Sequence, residues 1–204
     1  MVIGIEPITP ALAGDFFDFF DNRAFTDHAE WSCCYCTFFH MNKADEQKIG
    51  GEVKADGGGT DALRFALRKR AKTLIEQGGI KGYLAYADGV PVGWCNANDK
   101  AAFSRFDFDA ETSGFIRGDG NEHIKAVTCF IIALGYREKG IATALLMRVV
   151  KDARAEGYAA LEGYPRLHDQ HDSFDYTGPV RLYEKVGFIK VAEKENAVIM
   201  RRCL

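Results

Sequence analysis

One segment, CFIIALGYREKGIATALLMRVV from Cys129 to Val150, constrains the fold more than any other. With the residues before it, HIKAVTCFII forms a mostly apolar run of strand length, the strongest buried-strand candidate in the chain. From Ile141 the period changes: Ile141, Leu145, Val149 and Ala153 recur every fourth residue, with Ala142, Leu146 and Val150 beside them, which predicts a helix over GIATALLMRVVKDARAEG. Such a junction puts the helix's first-turn amides, which lack intrahelical acceptors, at the exit of a central strand. Gly135 loosens that exit, Gly140 removes the Cβ that would keep a pyrophosphate off the backbone, and Ala142 and Thr143 continue the clearance. Arg137 and Lys139 add positive charge. The same junction also reads as an ordinary βα turn.

The rest of the chain alternates helices and strands without a repeat or a clear linker. In TPALAGDFFDFFDNRAF, Thr9 is the expected N-cap and Pro10 the first helical residue, with Leu12, Phe16, Phe19 and Phe20 facing away from Asp15, Asp18 and Asp21. WSCCYCTFFH, from Trp31 to His40, is aromatic enough to predict a strand, and DEQKIGGEVKADGGG a loop. A second helix is expected from Thr60 as N-cap through Leu63, Leu67, Leu74 and Ile75 to a stop at Gly78. Asp88-Gly89 between two strand runs predicts a hairpin, and residues 99 to 122 read as an irregular excursion or a pair of short segments. YAALEGYP reads as a strand, GPVRLYEKVGF as a short helix closed by Gly187, and the C-terminus as a pair of strands. The sum is a mixed α/β (α+β) domain with helices on a largely antiparallel sheet.

At 204 residues and 47% apolar, the chain suits one domain, residues 1–204. A net charge of -3 gives no bulk reason to expect nucleic acid or an anionic membrane as partner. MVIGIEPITP lacks the features of a signal peptide and no long apolar run exists, so a cytoplasmic protein is expected, its six cysteines mostly reduced. Walker A, G-x-S-x-G and H-E-x-x-H motifs are absent, and the one G-x-G-x-x-A match, Gly57 to Ala62, follows no strand.

Arg137-Glu138-Lys139-Gly140-Ile141-Ala142 resembles the [R/Q]-x-x-G-x-[G/A] signature of the GNAT N-acetyltransferases, placed after the fourth strand and opening the third helix as in that family. RLYEKVGF, about forty residues on, resembles the family's second motif, Y-x-x-x-G-F. The resemblance implies an acetyl-CoA-binding core over 82–204 and a variable acceptor side over 1–81. It implies that amides near Ile132 to Leu134 pair with the pantetheine arm, and that the turn amides from Arg137 through Glu138, Lys139, Gly140, Ile141 and Ala142 to Thr143 bind the pyrophosphate. Tyr183 matches the tyrosine that protonates the leaving thiolate, a task suited to a phenol that holds its proton at neutral pH. For the base that takes a proton from the acceptor, Glu162 at the end of the fifth strand and Glu122 before the fourth are the candidates, Glu162 preferred because polar side chains are scarce in its strand.

The implied activity is acetyl transfer from acetyl-CoA to a primary amine of a small molecule or peptide, directly in a ternary complex and with no metal. Cys33-x-x-Cys36, with His168 and His171, offers a second reading: a redox pair or zinc site in a noncatalytic CoA-binding or thiol-based sensor module. The same aromatic and cysteine run would otherwise wall an acceptor pocket or simply pack the core. Asp169, Asp172 and Asp175 could select a cationic amine or form a solvated loop. The acceptor stays unidentified, and a homodimer is kept as an open arrangement.

Overall fold

A computed structural model of the chain describes residues 2–107, 123–167, 176–194 and 197–204. Its strands are β1 (Ile3–Pro7), β2 (Gly82–Ala87), β3 (Val90–Asp99), β4 (Ile124–Ile132), β5 (Ala160–Gly163), β6 (Ile189–Lys194) and β7 (Ala197–Cys203). They form one sheet of order β1-β2-β3-β4-β5-β7-β6, antiparallel throughout except for the parallel pair β4/β5. The helices are α1 (Ala13–Asn22), α2 (Lys43–Ala55), α3 (Gly59–Glu76), α4 (Ile141–Ala155) and α5 (Val180–Lys185). This is the mixed, largely antiparallel α/β architecture that the sequence patterning implies.

Both faces of the sheet are covered, which explains why β4 is apolar on successive residues. On one face Val127 and Phe130 meet Leu145, Val149 and Ala153 of α4. On the other, Cys129 and Ile131 meet α1 and α3 through Phe16, Phe20, Ala71 and Ile75. Each large apolar side chain so buried contributes about 1.5–3 kcal/mol. Phe16 stands edge-on to Trp94 with centroids 5.0 Å apart, which fixes α1 over the centre of β3. The β2–β3 hairpin turns at Asp88 and Gly89, both with positive φ, as a tight two-residue turn requires.

Two features of β4 shape the site. First, register with β3 shifts between Asn96↔Cys129 and Ala97↔Val127, leaving Thr128 as an extra residue that bends the strand. Second, β4 pairs with β5 only from Ile124↔Ala160 to Val127↔Gly163, then runs on to Ile132 while β5 ends. The sheet therefore opens between the two strands just beyond the bulge.

Several elements differ from the expectation. Trp31 to His40 is no strand: it forms short 3₁₀ turns over Ala29–Trp31 and Phe38–His40, with local bonds such as Cys34 N–H to the Trp31 carbonyl at 2.8 Å. Its aromatic and sulfur side chains plug the core without a strand neighbour to pair with; Tyr35 and Cys36 are buried. The expected loop from Asp45 is mostly helix α2, whose Asn42 cap and Asp45 close a capping box despite two internal glycines. Arg70 of α3 pins its start by gripping Asp45 at 2.9 Å. Helix α3 begins at Gly59 behind Gly58, so Thr60 is inside it, not its cap. Thr9 makes no side-chain cap bond; a 3₁₀ turn over Pro10–Leu12 precedes α1, and Phe17 joins the buried face. Strand β1 carried no clear sequence signal and takes its place by pairing with β2 at the sheet edge. Part of the 99 to 122 excursion, including Glu122, lies outside the described residues.

Candidate active site

The junction after β4 is built to leave amides open. Glu138 has φ +62° and Gly140 φ +80°, both left-handed, and between them they swing the chain into α4 with Gly140 as N-cap. The first intrahelical bond runs from Ala144 N–H to the Gly140 carbonyl, so the preceding first-turn amides have no partner within the helix. Neither Gly140 nor Gly135 has an atom within 4 Å of where a Cβ would sit, so the outer side of the turn is clear. Ile141 sends its side chain into the core while its amide opens the helix.

The charged residues here have structural partners. Arg137 donates to the Ile132 carbonyl at 3.0 Å and grips Asp27 with both terminal nitrogens at 2.6 and 3.1 Å. That hydrogen bond holds the Asp27 carboxyl below its ordinary range and ties the segment after α1 to the end of β4. Lys139 turns back to the Gly135 carbonyl at 2.7 Å. Along the strand end, the Ala133 amide is taken by Val92 and Leu134 starts a 3₁₀ turn, half exposed. Ile132 stays paired with Gly93 of β3.

Beside this junction lies a cavity of about 620 Å³. Ile132, Arg137, Ala142, Pro179 and Leu182 line its side nearest α4 and α5, and Phe25, Trp31, Phe38, Phe39 and Tyr176 supply an aromatic side. Cys33, Cys34, Cys36 and Cys129 complete the wall. The opening between β4 and β5 is bridged by the Phe130 amide donating to the Tyr176 carbonyl at 2.6 Å.

Tyr183 is fully buried, between Phe130 and Phe188, and its hydroxyl donates to the Thr177 carbonyl at 2.7 Å. Its ring rests on the backbone of Gly163, the last residue of β5. Glu162 is also buried, but its carboxylate is committed: Oε1 takes Arg201 at 2.7 Å, and Oε2 takes Lys100 and the Tyr164 hydroxyl, each at 2.8 Å. Both oxygens of Glu162, the preferred base candidate, thus sit in an ion-pair network among β3's end, β5 and β7. A scarce polar residue in a strand signalled a special position, and the pairing partners decided which kind.

Asp27, Phe25 and Tyr176, none of them a site candidate on sequence grounds, reach the site from distant segments. His168, His171, Asp169, Asp172 and Asp175 lie outside the described residues. Among the described residues no group of three or more His, Cys, Asp or Glu is arranged to hold a metal ion. No described helix is long and apolar enough to cross a membrane.

The sheet of seven strands thus splays after its fourth strand, with a bulge in β4 and open helix amides at the exit. The family model described as Acetyltransferase (GNAT) family matches residues 57–188, and the chain belongs to that family. No curated protein matches the sequence. Solved structures share the fold at low identity. A GNAT-family protein from Desulfovibrio desulfuricans is 13% identical, with 99% of each chain covered and a TM-score of 0.54. The PaiA N-acetyltransferase of Thermoplasma acidophilum, solved in complex with coenzyme A, is 14% identical over 100% of both chains with a TM-score of 0.51. A GNAT acetyltransferase from Streptococcus pneumoniae is 17% identical over 100% of both, with a TM-score of 0.50.

Proposed function

We propose that this GNAT protein moves an acetyl group from acetyl-CoA to a primary amine of a small molecule or peptide, by direct transfer in a ternary complex. The observation that carries the reading is the run of open first-turn amides behind Gly140, beside a cavity that reaches the β4/β5 opening. A pyrophosphate fits this junction, since nothing stands within 4 Å of the Gly140 or Gly135 Cβ positions. The turn from Arg137 through Glu138, Lys139, Gly140, Ile141 and Ala142 to Thr143 would hold it, with Ile132 and Leu134 flanking the pantetheine arm. That the PaiA relative was solved with coenzyme A supports the same choice of ligand.

Bound acetyl-CoA supplies an activated acyl carbon. The chain's own part is to orient it at the strand opening, exclude water with the aromatic wall, and return a proton to the departing sulfur. We assign that proton to the Tyr183 hydroxyl, now given to the Thr177 carbonyl, which can be redirected when a better acceptor forms. Glu162 we assign as an anchor for Lys100 and Arg201, leaving water to take the acceptor's proton.

Thermal unfolding with and without acetyl-CoA tests the reading. A ligand that binds only the folded state at about 100 times its Kd adds about 2.7 kcal/mol. A saturable rise, weakened by Gly140→Val, is expected; no rise at millimolar acetyl-CoA would overturn it.

A further inference from the structure

We propose that Cys36 and Cys129 form a redox-active dithiol in the wall of the cavity, which a small hydroperoxide oxidises to a disulfide. The placement comes from β3 and β4. Asn96 and Cys129 are direct cross-strand partners, and the Asn96 side-chain amide donates to the Cys36 carbonyl at 3.4 Å, which brings the Cys36 backbone next to that pair. The Cys36 and Cys129 side chains interact with each other in that wall, within one buried cluster. Both cysteines line the cavity, both are free thiols, and the two are 3% and 4% exposed.

The surroundings make the pair unequal, as a peroxide-reactive pair requires. Burial alone would raise the Cys36 thiol, but the donors around it, Cys129, Trp94 and Asn96, outweigh burial and bring it below its ordinary value. The fully buried Trp94 indole nitrogen has no acceptor in regular hydrogen-bond geometry, and the Asn96 side-chain oxygen is likewise unpaired. A buried indole N–H left without an acceptor gains most when the sulfur beside it carries charge. Cys129 moves the opposite way, because of its side-chain interaction with Cys36 and because it is buried. Cys36 also keeps a left-handed backbone, φ +55°, that a β-carbon residue adopts at a cost. Cys34, whose thiol burial pushes up to about 12, is the poorer nucleophile in the same wall.

The chemistry balances with the hydroperoxide as oxidant. The Cys36 thiolate attacks the terminal peroxide oxygen, the O–O bond breaks, and the leaving alkoxide or hydroxide takes up a proton. Cys36 is then a sulfenic acid. The Cys129 sulfur attacks the Cys36 sulfur, the S–O bond breaks, and hydroxide leaves with the Cys129 proton as water. Two thiols are oxidised and one peroxide is reduced. The product joins the segment between α1 and α2 to the bulge of β4, across the cavity wall.

The test treats the full-length reduced protein with hydrogen peroxide, alkylates remaining thiols and maps peptides by mass spectrometry. A Cys36–Cys129 cross-link is expected, reversed by dithiothreitol and formed about tenfold faster than oxidation of the exposed Cys203. In Cys129→Ser, Cys36 should proceed to sulfinic acid. Should that variant fail to fold, the wild-type map decides alone. Separate alkylation of Cys36 and Cys129 while Cys203 oxidises, or a cross-link from Cys36 to Cys33 or Cys34, would overturn the proposal. None of these readouts depends on acetyl transfer, so the thiol pair and the acetyltransferase reading stand or fall separately.

Discussion

Tyr183 rests its ring on the bare backbone of Gly163, so closely that a Cβ at Gly163 would lie 2.0 Å from the Tyr183 Cε1 and 2.7 Å from its hydroxyl oxygen. The glycine ends β5 where the sheet opens, and the tyrosine comes from α5. Gly163→Ala must therefore displace the ring, at a cost of about 1–3 kcal/mol in stability. Turnover should fall while the acetyl-CoA-induced melting shift is kept; an alanine variant with wild-type melting and turnover would show that the contact is slack.

Tyr183→Phe removes the hydroxyl and leaves the ring packed against Phe130 and Phe188. Loss of the proposed proton donor should lower kcat by about 10²–10⁴-fold with acetyl-CoA binding intact. Steady-state kinetics with a thiol-reactive CoA readout would measure this. A kcat within twofold of wild type would leave Tyr183 with packing alone, the phenol having no chemical part.

Glu162 separates two roles by its choice of substitution. Glu162→Ala strips Lys100 and Arg201 of their shared counter-charge in a buried place, which should cost about 3–5 kcal/mol. Glu162→Gln keeps some hydrogen bonds and should lose less. Denaturant melts against kcat for both variants decide: a Gln variant as stable as wild type but inactive would restore the base role to Glu162.

Acid should weaken the fold in two stages. His40 is buried, and burial is the main reason its imidazole is lowered from 6.5 to about 4, with the Asn96 amide 3.4 Å from Nε2. A depressed folded value means full stability above pH 6.5, lost as pH falls towards about 4, because the unfolded chain takes the proton first. Each pH unit inside that window costs about 1.4 kcal/mol. Below it, Asp27, held low by Arg137, and Asp21, where Arg68 and Tyr35 outweigh burial, lose their contributions as pH falls through their lowered values. Urea midpoints across pH should show both limbs, and His40→Gln should flatten only the upper one; an unchanged upper slope would rule out His40 as its source.

The helix after β4 was legible in the sequence because its evidence is local. A four-residue apolar recurrence from Ile141 and a glycine before it fix period, start and the opened amides together, and the same holds for the Asp88-Gly89 hairpin. Where local signals conflict, neighbours decided. Trp31 to His40 has strand-like composition, yet it pairs with no strand, and the core took its side chains from short 3₁₀ turns. Residues 43–55 carry weak apolar patterning and two glycines, yet the Asn42–Asp45 box and the Arg70 grip from α3 stabilise a helix there.

The sequence by itself determined the strand-turn-helix junction, the tyrosine of α5 and hence the family, because each is set by residues within a few positions of one another. Only the tertiary structure decided which partners Glu162, Arg137 and Cys36 have. Those partners are Arg201, Asp27 and Cys129, 39, 110 and 93 residues away, and no local pattern records which charges and sulfurs the folded sheet brings together.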